Sequence, residues 1–195
     1  MISYIYGEIK ELTPTYIILD CNGMGYFLNI SLTTFSKVES CKDDRIKIFT
    51  HLHIREDAHT LFGFFEKEER KVFRLLLSVS GVGASTGMMI LSSLNPSEIS
   101  QAIAQEDINT LKSIKGIGLK SAQRIIIDLK DKIQNVEITV NNLSDNHNIK
   151  KKQALSALET LGFSVKQSNQ VLDQILVEKP DISVEELIKL SLKNF

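Results

Sequence analysis

The sequence predicts a multidomain α+β protein in which the strands precede the helices. Three observations carry this. Residues 1–63 contain short runs rich in β-branched and aromatic residues, divided by turn signals. From Phe65 the apolar residues recur with a helical period. Residues 134–149 then interrupt that period with a polar stretch before a last helical block.

The strand runs are SYIYGEI, TYIILDC, GYFLNIS, RIKIFTHLHI and HTLFGFF. In the fourth, Ile46, Ile48, Leu52 and Ile54 share one face with Thr50, and Lys47, His51, His53 and Arg55 share the other, the period-two pattern of a half-buried strand. Asn22-Gly23 joins the second and third runs as a tight hairpin, because both residue types tolerate positive φ. Five short strands with no long helix fit a five-stranded OB-type β-barrel over 1–63.

Residues 64–133 are expected to be all helical. In EKEERKVFRLLLSV the residues Val72, Phe73, Leu76 and Leu77 form one stripe, predicting a helix over 66–79. Asn95-Pro96-Ser97-Glu98 supplies a cap, a proline for the first helical position and a first-turn acid, so another helix starts there. A short helix follows Asp107, and a longer one runs from Leu119 to about Ile133. Residues 134–149, QNVEITVNNLSDNHNI, read as a flexible linker. Residues 150–195 read as a bundle of three short helices. Ser164 and Ser183 have capping spacing to Gln167 and Glu186, and Leu161-Gly162-Phe163 ends the first helix. So small a bundle is expected to be modestly stable.

No run is long and apolar enough to span a bilayer, and MISYIYGEIK lacks the pattern of a signal peptide, so a cytoplasmic protein without a membrane partner is expected. Cys21 and Cys41 are then reduced thiols with no assigned chemistry. The net charge of −1 conceals an asymmetry. Lys+Arg against Asp+Glu is 6 to 8 in residues 1–63, 10 to 8 in 64–133, 0 to 2 in 134–149 and 7 to 6 in 150–195. The middle segment is therefore the one suited to a polyanion.

That segment holds a repeated motif. SGVGASTGMMIL, beginning at Ser80, and KGIGLKSAQRII, beginning at Lys115, have the same helix, Gly-x-Gly, helix layout, 35 positions apart. A P-loop is excluded, because no glycine precedes a Lys-Ser pair at the required spacing. A dinucleotide fingerprint is excluded because Thr86 and Ser121 stand where its third glycine belongs, and helices rather than strands lead in. What remains is a turn whose glycines allow close backbone approach and whose following helix offers unpaired amides, a phosphate site. Lys120 and Arg124 stand in the first turns of the second copy. Such contacts hold a nucleic-acid backbone without reading bases. The plainer reading is that the glycines only end the preceding helices; its weight falls when the motif occurs twice.

Other readings have weaker support. His51, His53 and His59 lie in or beside the last two strands, but no cysteine or carboxylate completes a metal-ligand spacing, so no metal and no cofactor are expected. A helix-hairpin-helix repair enzyme such as a glycosylase would need a catalytic acid or lysine after the second hairpin. Asp128 and Asp131 are the nearest acids and read as the polar side of an amphipathic helix. A single-strand-binding barrel would need exposed aromatics in a basic groove, and this barrel is net acidic. No nucleophile with its base and no phosphate loop appears, so the chain is expected to be no enzyme.

Together MISYIYGEI, FTHLHIREDAHTLFGF, the paired GVG and GIG hairpins and IIIDLKDK resemble the RuvA family, the junction-binding subunits of bacterial branch-migration complexes, along the whole chain. The resemblance implies a tandem helix-hairpin-helix domain over 64–133 that grips duplex backbone through Gly81, Gly83, Ser85, Gly116, Gly118, Lys120 and Arg124. It implies a homotetramer, or an octamer, holding a four-way Holliday junction open. It further implies that the 150–195 bundle binds the RuvB ring ATPase, with exposed apolar side chains among Leu155, Leu158, Leu161 and Phe163 as candidate contacts, and that the RuvC resolvase is a further partner. Glu56 and Asp57 match the family's acidic pin, whose carboxylates repel phosphate where strands converge. Outside that resemblance they would read as a solvated turn. Two departures stand out. Ala84-Ser85 occupies the place of the family's usual Pro-Lys, and Leu119 that of a frequent lysine, so a smaller salt dependence than in lysine-bearing relatives is expected.

Overall fold

In a computed structural model the described residues are 2–41, 44–141, 146–179 and 182–195, without the side chains of 134–149, 152 and 178. They fall into two compact units, Met1–Thr139 and Val140–Phe195.

The first unit opens with β1 (Tyr4–Leu12), β2 (Tyr16–Cys21), β3 (Met24–Ile30), β4 (Arg45–Ile54) and β5 (His59–Phe64). They close into a barrel in the order β1-β2-β3-β5-β4, antiparallel throughout except for β3 with β5. Closure depends on β1, which serves two neighbours. Its first half pairs with β4 (Tyr4 opposite Phe49, Tyr6 opposite Lys47) and its second with β2, and the register shifts between Ile9 and Glu11 where it bends. Asn22 at φ 56° and Gly23 at φ 89° form the expected tight turn, with Cys21 opposite Met24. Ile5, Ile17, Leu19, Leu28, Ile46 and Ile48 fill the interior. The inward face of β4 runs out sooner than its alternation suggests. Ile46, Ile48 and Thr50 are buried, Leu52 is half-buried and Ile54 is exposed.

One barrel element is additional to the sequence expectation, the helix α1 (Leu32–Ser40) between β3 and β4. Ser31 caps it by accepting from the Thr34 amide, and Thr34 and Val38 face inward. The signal was the Ser31 cap followed by Leu32, Phe35 and Val38 at helical spacing, hidden because Thr33, Thr34 and Val38 are β-branched.

The helices α2 (Lys67–Leu77), α3 (Ala84–Ser93), α4 (Pro96–Ala104), α5 (Ile108–Lys112) and α6 (Leu119–Asn141) follow. Asn95 and Glu98 form a full capping box on α4, and Asp107 caps α5 through the Thr110 amide. Barrel and helices share one core: Phe62 and Phe64 of β5 lie 5.1 and 5.0 Å from the ring of buried Phe73 on α2, in the same cluster as Leu76, Ile90, Ile103 and Leu129. Polar groups fasten the seam. Buried Glu69 on α2 accepts from the Ser31 hydroxyl and from Thr34 Oγ1 at 2.7 Å, while Thr33 Oγ1 donates to the Leu91 carbonyl at 2.6 Å. The hairpins are thereby attached firmly to the barrel.

The linker expected over 134–149 falls on residues whose side chains lie outside those described, and 142–145 lie outside entirely; the helix assignments end at Asn141 and resume at Asn146. The second unit contains α7 (Asn146–Thr160), α8 (Val165–Glu178) and α9 (Val184–Lys193) around Ala154, Leu158, Leu172, Ile175 and Leu187. Ser164 and Ser183 cap α8 and α9, and Gly162 at φ 96° ends α7.

Candidate nucleic-acid interface

The two glycine motifs build the same hairpin twice. After α2 the Val82 amide donates to the Val79 carbonyl at 3.0 Å; after α5 the Ile117 amide donates to the Ile114 carbonyl at 3.1 Å. Val79, Val82, Ile114 and Ile117 are all buried, so each turn is pinned to the core by two apolar side chains. Gly81 and Gly116 take φ values of 89° and 86°, a region costly for any residue with a Cβ. The next helices then open alike, with Gly87 N donating to Gly83 O at 2.9 Å and Ala122 N to Gly118 O at 3.0 Å.

The second glycine of each pair has a different basis. Gly83 has φ −87°, Gly118 is not among the positive-φ residues, and a Cβ on either would meet nothing within 4 Å. Neither conformation nor packing inside the chain therefore requires glycine. What a methyl group would obstruct is an outside molecule approaching the backbone, where the first-turn amides of α3 and α6 have no intrahelical acceptor.

One cleft lies between the first turn and α6, the helix after the second turn; Gly83, Ser85, Gly116 and Gly118 are not part of its lining. Ser80 and Gly81 line it from the first turn, and Lys120, Ser121, Gln123 and Arg124 from α6. Arg124 Nη1 donates to the Ser80 carbonyl at 3.4 Å, joining the two copies. Lys120 and Arg124 are exposed, and no acid stands in the first turn of either helix. Lys120 and Arg124 thus stand at the start of α6 beside its unpaired first-turn amides, an arrangement suited to phosphates. Ser80, Gln123 and exposed Ile127 were not singled out in the sequence. Ile127 was findable, three residues beyond Arg124 on the same helix face. Asp128, the acid weighed for a repair enzyme, is half-buried and lines the same cleft.

Glu56 and Asp57 project from the turn between β4 and β5, both exposed, in a loop closed by the Arg55 amide donating to Ala58 O at 2.8 Å. Arg55 Nε lies 3.1 Å from His53 Nε2. His51 packs edge-on against Phe73, and burial pushes its pKa down, helped by Arg74. Among the described residues no three His, Cys, Asp or Glu side chains converge as a metal set.

Three family models match in series: the RuvA N terminal domain over residues 1–63, the SAM-like helix-hairpin-helix tandem over 73–131 and the RuvA C-terminal domain over 150–194. The proteins named "Holliday junction branch migration complex subunit RuvA" from Christiangramia forsetii and Flavobacterium psychrophilum are 50% and 47% identical to the chain. The alignments cover 99% of both sequences in the first case and 100% in the second. The protein of the same name from Bacteroides thetaiotaomicron is 46% identical, with 99% of each covered. The chain belongs to the RuvA family.

In this RuvA-family chain the two hairpin positions that depart from the expected lysines are both exposed. Ser85 is exposed at the first hairpin and brings a hydroxyl, and Leu119 is 52% exposed at the second and brings no polar group. In the RuvA C-terminal domain the apolar candidates divide. Leu158, in the last turn of α7, is fully buried in the bundle core, so its side chain is used for packing and not as a surface contact. Leu155 is half-buried and Leu161 is 59% exposed. Phe163 stacks on Phe195 with centroids 4.2 Å apart. Val165 and Leu192 are also exposed.

Proposed function

We propose that the chain is the non-catalytic DNA-binding subunit of a branch-migration complex, which recognises four-way Holliday junctions without regard to base sequence. The observation that carries this is the pair of hairpins with matching hydrogen bonds, joined by Arg124 of one bonding Ser80 of the other, each with a glycine that the fold itself does not need. Amides, Lys120 and Arg124 are suited to phosphate oxygens and make no demand on bases.

A single pair of hairpins with two cations is a weak grip, and symmetry multiplies it. Assembled through barrel and helices as a tetramer, or as two tetramers forming an octamer, the chain grips all four arms at once, and linked sites raise the overall affinity through effective concentration. The exposed carboxylates of Glu56 and Asp57 then act at the crossover, repelling phosphates and keeping the strands apart. The 150–195 bundle recruits and stimulates the RuvB ATPase, with Leu161, Leu155 and Phe163 as its apolar contacts, and the RuvC resolvase joins the same junction. ATP hydrolysis belongs to RuvB. This places the complex in recombination and DNA repair in the cytoplasm. Among the described residues no helix is long and apolar enough to cross a membrane.

The test is a truncation combined with a binding assay. Removing residues 150–195 is expected to leave four-way-junction binding intact and to abolish stimulation of RuvB ATPase activity. Loss of junction binding on truncation would overturn the division of roles.

A further inference from the structure

The outer face of the barrel has a feature unrelated to the hairpins. Along β1, Tyr4 and Tyr6 point outward, 53% and 55% exposed, with opposite edges backed by β4. Phe49 lies directly across from Tyr4 and Lys47 across from Tyr6. Four cations sit among these rings. Lys47 Nζ is 4.1 Å from the Tyr4 centroid and 5.6 Å from that of Phe49, and the Arg45 guanidinium is 5.7 Å from Tyr6. From α2, Lys67 Nζ and the Arg70 guanidinium stand 5.6 and 5.3 Å from Phe49. Among the described residues none of the four is in an ion pair. The nearest acid in register, Glu8 opposite Arg45, is engaged by Lys10 at 2.6 Å. A barrel whose net charge is negative thus carries an unpaired positive patch interleaved with aromatic rings.

We infer that this β1–β4 face, extended by α2, binds an unpaired nucleic-acid strand, stacking bases on Tyr4 and Tyr6 and pairing phosphates with Arg45, Lys47 and Lys67. Exposed rings two residues apart on a strand share one face at about 6.6 Å spacing, a row of platforms for successive bases. Duplex DNA hides its base faces and gains nothing from the rings; an acidic peptide needs the cations and not the rings. Only a single strand uses both. Arg70 has a different part, because its Nη1 donates to the Ser3 carbonyl at 2.6 Å and so fixes the start of β1. The site is separate from the hairpin cleft, and its existence does not depend on junction binding.

The chain has no tryptophan, and two of its four tyrosines are Tyr4 and Tyr6, so the part of its intrinsic fluorescence lost in the Tyr4→Phe, Tyr6→Phe variant reports on this face. The full-length protein is titrated with oligothymidine of ~15 nucleotides, a length within the range one OB-type barrel covers. Binding with quenching of tyrosine emission is expected. Tyr4→Ala with Tyr6→Ala weakens it by about tenfold or more, whereas Tyr4→Phe with Tyr6→Phe retains affinity and loses most of the quenching. Lys47→Gln lowers the salt slope by about 0.7. Lys120→Ala with Arg124→Ala leaves the quenching of tyrosine emission at saturating oligothymidine unchanged, which separates this face from the hairpins. The inference is overturned if the tyrosine-to-alanine variant binds oligothymidine as the parent does. It is also overturned if the hairpin variant alone loses binding, if polyglutamate competes as well as oligothymidine, or if the alanine variant changes only the oligomeric state.

Discussion

Arg124 of the second hairpin donates to the main-chain carbonyl of Ser80 in the first, at 3.4 Å, although 44 residues separate them. The charged side chain proposed to reach for phosphate is thereby tethered to the sister turn. Replacing Arg124 with Ala is expected to weaken junction binding by about tenfold and reduce the salt slope by about 0.9. Because the side chain is exposed, stability should shift by no more than about 0.5 kcal/mol. Filter binding across a salt series together with thermal melting reads both; an unchanged salt slope would remove Arg124 from the contact.

The two kinds of glycine should separate in mutagenesis. Gly81→Ala or Gly116→Ala forces a Cβ into positive φ and is expected to cost about 1–2 kcal/mol of stability. Gly83→Ala with Gly118→Ala meets open space, so melting should be nearly unchanged while junction affinity falls at least about tenfold. Equal junction affinity in that double variant would mean that nothing approaches these amides.

Charge at the turn between β4 and β5 should act on migration rather than on binding. Glu56→Gln with Asp57→Asn is expected to bind junctions as tightly as the parent or more tightly, since repulsion of phosphate is removed. The rate of branch migration with RuvB should change. A large fall in junction affinity would count against a repulsive role.

Buried Glu69 predicts a pH dependence of stability. Desolvation raises its pKa, outweighing the hydroxyls of Ser31 and Thr34, which act to lower it. The folded state therefore holds the proton more tightly than the unfolded state. This contribution is full below the ordinary carboxyl value near 4.5 and is lost as pH rises through the raised folded value. Glu69→Gln should remove that component and flatten the decline in melting temperature with rising pH. Identical slopes in parent and variant would contradict it.

The lysines that the family resemblance leads one to expect can be supplied. Ser85→Lys with Leu119→Lys adds one cation to each hairpin at exposed positions and should raise the salt slope of junction binding by about 1.8 if both reach phosphate. An unchanged slope would place both positions away from the DNA.

Most of the strands and hairpins were legible in the sequence because local signals agreed. Asn22-Gly23 could form little but a tight turn, and Asn95-Pro96 with Glu98 marked the start of α4 unaided. Helix α1 was missed because its β-branched residues suggest strand, and what keeps it helical is tertiary: Thr34 bonded to Glu69 and Thr33 to Leu91. The shared core was equally hidden, since a change of period at Phe65 looks like a boundary, whereas Phe62 and Phe64 before it pack on Phe73 after it. At the site, the motif spacing pointed to the glycines and to Lys120 and Arg124. The contact of Arg124 with Ser80, and the difference between Gly81 and Gly83, depend on backbone angles and three-dimensional proximity that no residue pattern carries.

The most direct measurement is a competition in which labelled four-way junction bound to the full chain is challenged with unlabelled junction or with linear duplex of the same arm sequence. Multivalent backbone contact predicts that the junction competes about 100-fold or more better than the duplex. Equal competition at matched nucleotide concentration would contradict it.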